Sequence, residues 1–298
     1  MSVSLYEKCS LCNRKCLVDR TKATGFCGAT DTPTVSRAAL HFWEEPCISG
    51  ERGSGTIFFD GCSLKCIFCQ NKDISRGSFG ERVDATALSD IMLKLEEKGA
   101  HNINFVTPTH FVPTVIESVR IARGKGLSVP IVYNTGGYDT PEAIRLLKGT
   151  VDVFLPDFKY YFKKTAEKYS SAHDYPEAAL SSLDEMVNIA GESAFSEDGI
   201  MIRGVIVRIL LLPSHVAEAK LILSKLYRRY GNRIFYSLMS QYTPLDGMPA
   251  PLNRPVTRAE YSELVDYAIR LGVENCFIQD CESADSSFVP DFDLTGVL

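Results

Sequence analysis

"TIFFDGCSLKCIFCQN", residues 56–71, runs a short β-branched and aromatic stretch straight into three cysteines spaced Cys-x3-Cys-x2-Cys. A strand that ends in a polar loop is the first half of a βα unit, and the pattern recurs down the chain. Strands are expected near 56–60, 102–107, 130–134, 151–156, 204–212 and 234–239, with a short seventh over 275–279. Helical patterns lie between them near 86–98, 113–125, 140–148, 176–190, 216–230 and 257–271. Two of these open on clear start signals, Asp139-Thr140-Pro141 and the capping box from Thr257 to Glu260. Consecutive βα units imply a parallel sheet with right-handed crossovers. A closed eight-unit barrel takes ~250 residues. This region has about that length but fewer units, so the expected fold is α/β, a partial (β/α)6 TIM-like barrel, with a doubly wound sheet as the alternative. Either fold gathers function at the carboxyl ends of its strands. The segments there read "DGCSLKCIFCQN", "TPTHFVP", "NTGGYDT", "PDFKYYFKK" and "SQYTPLDG".

The remainder divides by composition. Residues 1–55 are turn-rich and carry Cys9, Cys12, Cys16 and Cys27, which reads as a small Cys-rich, metal-binding N-terminal module. Residues 56–281 form the barrel, and 282–298 an acidic, aromatic C-terminal tail expected to fold back over it. Apolar residues make up 45% of the 298, enough for a large core. A net charge of -5 argues against a nucleic-acid partner. The first residues hold no apolar leader and no run is long enough to span a membrane, so a cytoplasmic protein is expected. Ten cysteines in such a chain point to metal or redox chemistry rather than disulfides. Four thiolates suit a structural zinc ion or an auxiliary iron–sulfur cluster equally by count. Zinc is the leading assignment, because so short a module needs a staple more than a second redox centre. Cys47, Cys276 and Cys281 receive no role.

Three thiolates on one loop, without a fourth, can hold three corners of a cuboidal 4Fe–4S cluster and leave one iron open. A zinc loop completed by a distant ligand, or three buried thiols, fits the same spacing. Phe68, just before the third cysteine, adds a further feature. The run resembles the radical S-adenosylmethionine (SAM) signature, C-x3-C-x-aromatic-C. "GCSLKCIFCQN" is similar to the motif of pyruvate formate-lyase activating enzymes. "RAALHFWEEPCISGERGSGTIFFDGC", "VYNTGGY", "LPDFKYY" and "SLMSQYTP" resemble a branch of proteins like those activators.

The resemblance implies that Cys62, Cys66 and Cys69 bind the cluster, whose open iron chelates S-adenosyl-L-methionine. It further implies Phe68 near the adenine, Asn134 and Thr135 toward the ribose or methionine carboxylate, and Asp157 and Lys159 as the activators' Asp-x-Lys. Lys159 is expected to meet the SAM carboxylate. Activators usually carry Gly-Gly-Glu after the second strand to receive the SAM amino group; here Thr107-Pro108-Thr109-His110 stands there. That leaves Thr107 and backbone carbonyls for the amino group, and His110 as a proton donor or a structural histidine. Arg208, inside the apolar "GVIVRILLLP", needs a site carboxylate or an outward-facing edge position.

The expected function is therefore reductive cleavage of SAM to a 5′-deoxyadenosyl radical for hydrogen abstraction. The expected electron donor is a flavodoxin or ferredoxin, and the expected target is a glycyl-radical enzyme or other protein. A small-metabolite substrate is the alternative, and a non-enzymatic iron–sulfur electron carrier the rival of another class. Tyr160, Tyr161, Tyr169 and Tyr175, in the long connection 157–176, are expected to offer aromatic contacts at the mouth.

Overall fold

The computed structural model describes residues 3–77, 79–279 and 290–297. The chain forms α1 (Val3–Glu7), then crosses the cysteine-rich loops to β1 (Thr34–His41), α2 (Pro46–Ser49) and β2 (Ser54–Phe59). After the cysteine loop come α3 (Lys72–Ser75), β3 (Glu81–Arg82) and α4 (Ala85–Glu97). The alternation then runs β4 (Ile103–Val106), α5 (Val112–Gly124), β5 (Ile131–Thr135), α6 (Pro141–Leu146) and β6 (Val153–Pro156). Two helices follow, α7 (Lys163–Ser170) and α8 (Tyr175–Ala190), then β7 (Ala194–Phe195) and β8 (Met201–Leu210). The described chain continues through α9 (Val216–Tyr230), β9 (Phe235–Met239), α10 (Arg258–Leu271) and β10 (Cys276–Ile278).

These strands make one sheet in the order β10-β9-β8-β6-β5-β4-β2-β1-β3, with β7 paired to β8. From β2 to β10 each neighbour along that order is parallel, as right-handed βα crossovers require. All seven expected strands are present. The sequence reading missed β1, which adds antiparallel to β2 and carries β3 on its far side. It also missed α7, inside what reads as a long connection.

Alternate residues of each strand face opposite ways, and the two faces have different partners. Ile103, Phe105, Ile131, Tyr133, Phe154, Val205 and Val207 join the large core with the surrounding helices. Helix α4 shows how that layer forms. Asp84 caps it by accepting from the Ala87 N–H, and Leu88, Ile91, Met92 and Leu95 line its buried face.

On the inner face Val132, Val153, Leu155, Met201 and Ile206 pack instead against Cys47 and Ile48 of α2. The segment between β1 and β2 thus plugs the barrel, anchored where Asn102 Nδ2 donates to the Ile48 carbonyl at 2.7 Å. Asn102 precedes β4, so this plug fills the end opposite the functional loops. Above it, the inner face turns polar.

The part of the tail that is described folds back as expected. The Ala38 N–H donates to Thr295 O at 2.8 Å, Leu294 N–H to Ser36 O at 3.1 Å, and Phe292 packs edge-on against Phe58. It covers backbone groups of β1 that β3 leaves unpaired. Residues 282–289 and Cys281 lie outside the described residues.

Candidate active site

The three-cysteine loop leaves β2 at a reinforced corner. The Asp60 carboxylate accepts from the backbone N–H groups of Phe79 and Gly80 at 2.7 and 2.8 Å, and from the Ser36 hydroxyl. Its carbonyl accepts from His110 Nε2 at 2.7 Å. Gly61 follows at φ +84°, where a Cβ would stand 2.7 Å from the Cys27 carbonyl, so only glycine turns here. His110 is therefore a buried support for the corner, and it is not among the residues lining the cavity described below.

Beyond the corner, Cys66 and Cys69 line a cavity of about 250 Å³ at the carboxyl ends of the strands. Leu64 N–H points at Cys62 Sγ (3.4 Å) and the Ser170 hydroxyl at Cys66 Sγ (2.9 Å). Burial, reinforced by the neighbouring cysteines, pushes the Cys62 thiol up to about 12 and Cys69 to about 11. Such thiols bind a metal only by releasing their protons to it. Phe68 forms another wall, held edge-on by Tyr169 and Tyr242.

The cavity floor is a part-buried charge network. Arg208, on the inner face of β8, donates from Nε to Asp157 Oδ1 (2.9 Å), from Nη2 to Asn134 Oδ1 (2.6 Å) and from Nη1 to Glu44 Oε2 (3.3 Å). Glu44 Oε1 also accepts from the Asn104 and Asn134 amides at 3.0 and 3.1 Å. Lys159 Nζ reaches Asp157 Oδ2 at 2.5 Å. Burial works to raise the Asp157 carboxyl, but Arg208 and Lys159 outweigh it and hold it below the ordinary range. Burial likewise works against the Lys159 ammonium, and Asp157 and the nearby Cys66 reverse it, so its pKa is raised. For Glu44 burial prevails over Arg208, and its carboxyl is raised.

The loops around this floor are themselves pinned. Gly137, at φ +78°, passes so close to the Asp157 carbonyl that a Cβ would sit 2.5 Å from it. The Tyr175 hydroxyl donates to Gly136 O at 2.9 Å and accepts from the Lys159 N–H at 3.0 Å. Tyr175, Tyr160 and Tyr169 are thus core residues rather than the mouth aromatics expected from sequence, because α7 turns Tyr169 and α8 turns Tyr175 to its buried face.

Of the expected residues, Cys66, Cys69, Phe68, Asn134, Asp157, Lys159 and Arg208 line one cavity, joined by Gln241. Thr107 and Thr135 lie beside it. Thr107 takes φ +58° and donates its N–H to Asn134 O, while the Thr135 hydroxyl donates to the buried Asp139 at 2.6 Å. Sequence reasoning missed Glu44, and also His41 and Trp43, which arrive from the segment ahead of the plug. The signal was the adjacent acids in "HFWEEP", set within an otherwise apolar run.

A parallel half-barrel with three thiols and a zwitterionic floor at its carboxyl end defines a class of cofactor-dependent enzyme. Residues 56–207 match the Radical SAM superfamily, half of the chain, and the protein belongs to it. Membership brings a 4Fe–4S cluster, SAM and the need for a reductant. The chain is 32% identical over 180 residues to "Uncharacterized protein MJ0674" of Methanocaldococcus jannaschii, covering 58% of this chain and 51% of that protein. It thus spans about half the length of the curated relative it matches. Its fold resembles that of HydG, a maturase of the [FeFe]-hydrogenase, with a TM-score of 0.51, 18% identity, and coverage of 73% of this chain and 48% of that one. SuiB of Streptococcus suis gives a TM-score of 0.50 and 12% identity, over 77% of this chain and 49% of that one.

The donor set fits these cofactors. Among the described residues no three His, Cys, Asp or Glu side chains close on a single metal ion. Three thiols on one short loop suit a cuboidal cluster with one iron left open. The adjoining floor offers both signs of charge to an amino-acid head group. Among the described residues no helix is long and apolar enough to cross a membrane.

Proposed function

We propose that Cys62, Cys66 and Cys69 hold the 4Fe–4S cluster and that the cavity beside them binds SAM for radical generation. The observation that carries this is one cavity with cysteines on its wall and the Glu44–Arg208–Asp157–Lys159 network on its floor. When bound and reduced, the cluster and SAM supply a 5′-deoxyadenosyl radical that takes a hydrogen atom from the substrate. The chain's own residues bind, orient and shield. Lys159 and Arg208 hold the methionine carboxylate, as a point charge and a planar fork respectively. Glu44 takes the place of the missing Gly-Gly-Glu carboxylate and receives the amino group. Phe68 packs the adenine, and Asn134 faces the ribose. Thr107 and Thr135 fix the two loops by which Asn134 is held.

For the target we favour a segment of another protein, in the manner of the pyruvate formate-lyase activating enzymes. Trp43 lines the cavity yet is 57% exposed, so the site opens broadly on that side. A glycyl loop would enter there. The second reading, a small metabolite, rests on Pro290, whose place in the cavity lining brings the tail to the rim. Anaerobic protein, reductant and SAM incubated with a glycyl-radical enzyme should yield the doublet of a glycyl radical. Deuterium transfer from a small metabolite into 5′-deoxyadenosine, without that doublet, would favour the second reading.

A further inference from the structure

The loop of Cys62, Cys66 and Cys69 is reached from a second side. A cavity of about 310 Å³ is lined by Lys65, Cys66, Ser75 and Arg76. Cys66 thus borders both this cavity and the SAM cavity, whereas Trp43 borders only the SAM cavity of the two. The two also differ in charge. The SAM cavity mixes acids and bases, while the second carries a lysine and an arginine with no carboxylate. The chain around it has the same sign. From Gly61 to Gly80 it holds Lys65, Lys72 and Arg76 against one acid, Asp73, in a protein of net charge -5. Lys72 and Arg76 are exposed and stand one helical turn apart, on α3 and at its end. Among the described residues no carboxylate forms an ion pair with Lys65, Lys72 or Arg76.

The N-terminal loops extend this face. Phe26 is 43% exposed, and Arg14 Cζ and Lys65 Nζ lie 4.1 and 5.6 Å from its ring centre. Arg14 is fixed there by donating to the carbonyls of Ser63 at 2.8 Å, Ser170 at 3.1 Å and Ser171. Ser170 is the residue whose hydroxyl meets Cys66 Sγ, so Arg14 borders the cluster loop directly. Its three carbonyl partners orient the guanidinium without neutralising it. A surface that only solvates its cations needs neither an exposed ring nor an arginine held beside it. Aromatic residues and arginine are what protein interfaces concentrate.

The geometry points to Arg14, Phe26, Lys65, Lys72 and Arg76 as the docking surface for an acidic, low-potential one-electron carrier protein. The carrier meets the cluster loop at its Cys66 side, through a cavity that the substrate entrance at Trp43 does not share. This rests on the proposed cluster at Cys62, Cys66 and Cys69. The carrier gives up one electron and the cluster core goes from 2+ to 1+; no proton moves and no bond forms or breaks. Electron transfer weakens steeply with distance, so a carrier gains by docking against one of the cluster's own ligands. Redox partners meet over small interfaces, below about 1,200 Å², and rely on opposite charge to find one another. A basic patch on an otherwise acidic chain supplies that charge where the electron is needed.

The test titrates the full-length, iron-reconstituted protein with an acidic flavodoxin and an acidic ferredoxin by calorimetry. Beside it, SAM cleavage is driven either by the reduced carrier or by dithionite. Wild type should bind a carrier, with an affinity that falls as salt is added. K72E/R76E should bind about tenfold or more weakly. Its carrier-driven cleavage should fall in proportion, with dithionite-driven cleavage unchanged. K94E/K98E lowers the net charge by the same amount at the end of α4 that leads into β4, opposite the functional loops, and should bind like wild type. Equal weakening in both variants, K72E/R76E that binds like wild type, or no binding by wild type would overturn the docking surface. Carrier binding that depends on Lys72 and Arg76, in a wild type that dithionite cannot drive to cleave SAM, would sink the proposed activity and support the surface.

Discussion

Arg208 is the residue on which the cavity floor depends, because among the described residues it alone touches Glu44, Asn134 and Asp157. Replacing it by methionine keeps the stem but leaves two part-buried carboxylates without their common partner. The loss stays below the about 3–5 kcal/mol of a fully buried pair, so R208M should lower the urea midpoint, and R208K less. Glu44 tests binding rather than stability. E44Q preserves shape and amide contacts but removes the charge that faces an ammonium. A hydrogen bond to a charged group contributes about 1.5–3 kcal/mol, so SAM affinity read by equilibrium dialysis should fall roughly 10- to 150-fold. His110 tests the corner below the cysteines. Burial, with Arg20 adding to it, lowers its pKa from 6.5 to about 3. The unfolded chain therefore binds a proton that the folded one refuses. Stability is fully present above pH 6.5 and lost as pH falls toward 3, at up to about 1.4 kcal/mol per pH unit. H110N should flatten that loss in urea titrations between pH 6.5 and 4.5; an identical slope in both proteins would rule the assignment out. The cysteines and Arg208 were legible in sequence because each breaks its local pattern. Glu44 breaks its pattern too, in "HFWEEP", but its partner Arg208 lies 164 residues away, so the sequence does not show what it pairs with.

Secondary elements differ in how openly the sequence announces them. Thr257 and Glu260 form the capping box that their spacing predicts, and α10 begins there. Asp139 and Thr140 precede α6 as expected, with the Thr140 hydroxyl accepting from the Ala143 N–H. Helix α7, "KKTAEKYS", buries only Ala166, Tyr169 and Ser170, too few apolar positions to show a helical period. Strand β1, "TVSRAALH", alternates poorly because its register against β2 shifts between Val35 and Arg37, which breaks the period of two. The plug α2 has four residues and no side-chain cap; packing and the Asn102 hydrogen bond to its Ile48 carbonyl hold it. Ile48 is fully buried there, and I48A should cost about 2–5 kcal/mol. Because the plug backs onto Glu44, the same variant should also weaken SAM binding. A stability loss with untouched SAM affinity would show that Glu44 is held by its amide and guanidinium partners alone.

At the scale of the whole molecule, the sheet order follows from the chain order of its βα units, which is why the barrel was readable before any coordinates. The closure of the barrel was not readable. It depends on a segment that precedes the first parallel strand and returns through the interior to set Glu44 beside residues from β4, β5 and β8. The nearness of the two cysteine groups was hidden for the same reason: Cys27 and Cys62 meet through a hydrogen bond between loops, with β1, α2 and β2 intervening in sequence. If the loop after β2 carries the cluster that cleaves SAM, product release depends on its three cysteines. Dithionite-reduced wild type given SAM under anaerobic conditions should release 5′-deoxyadenosine and methionine in equal amounts, and C62A/C66A/C69A should release neither while keeping its fold. Release of 5′-deoxyadenosine by the triple variant at the wild-type rate would show that these cysteines do not hold the cluster that cleaves SAM.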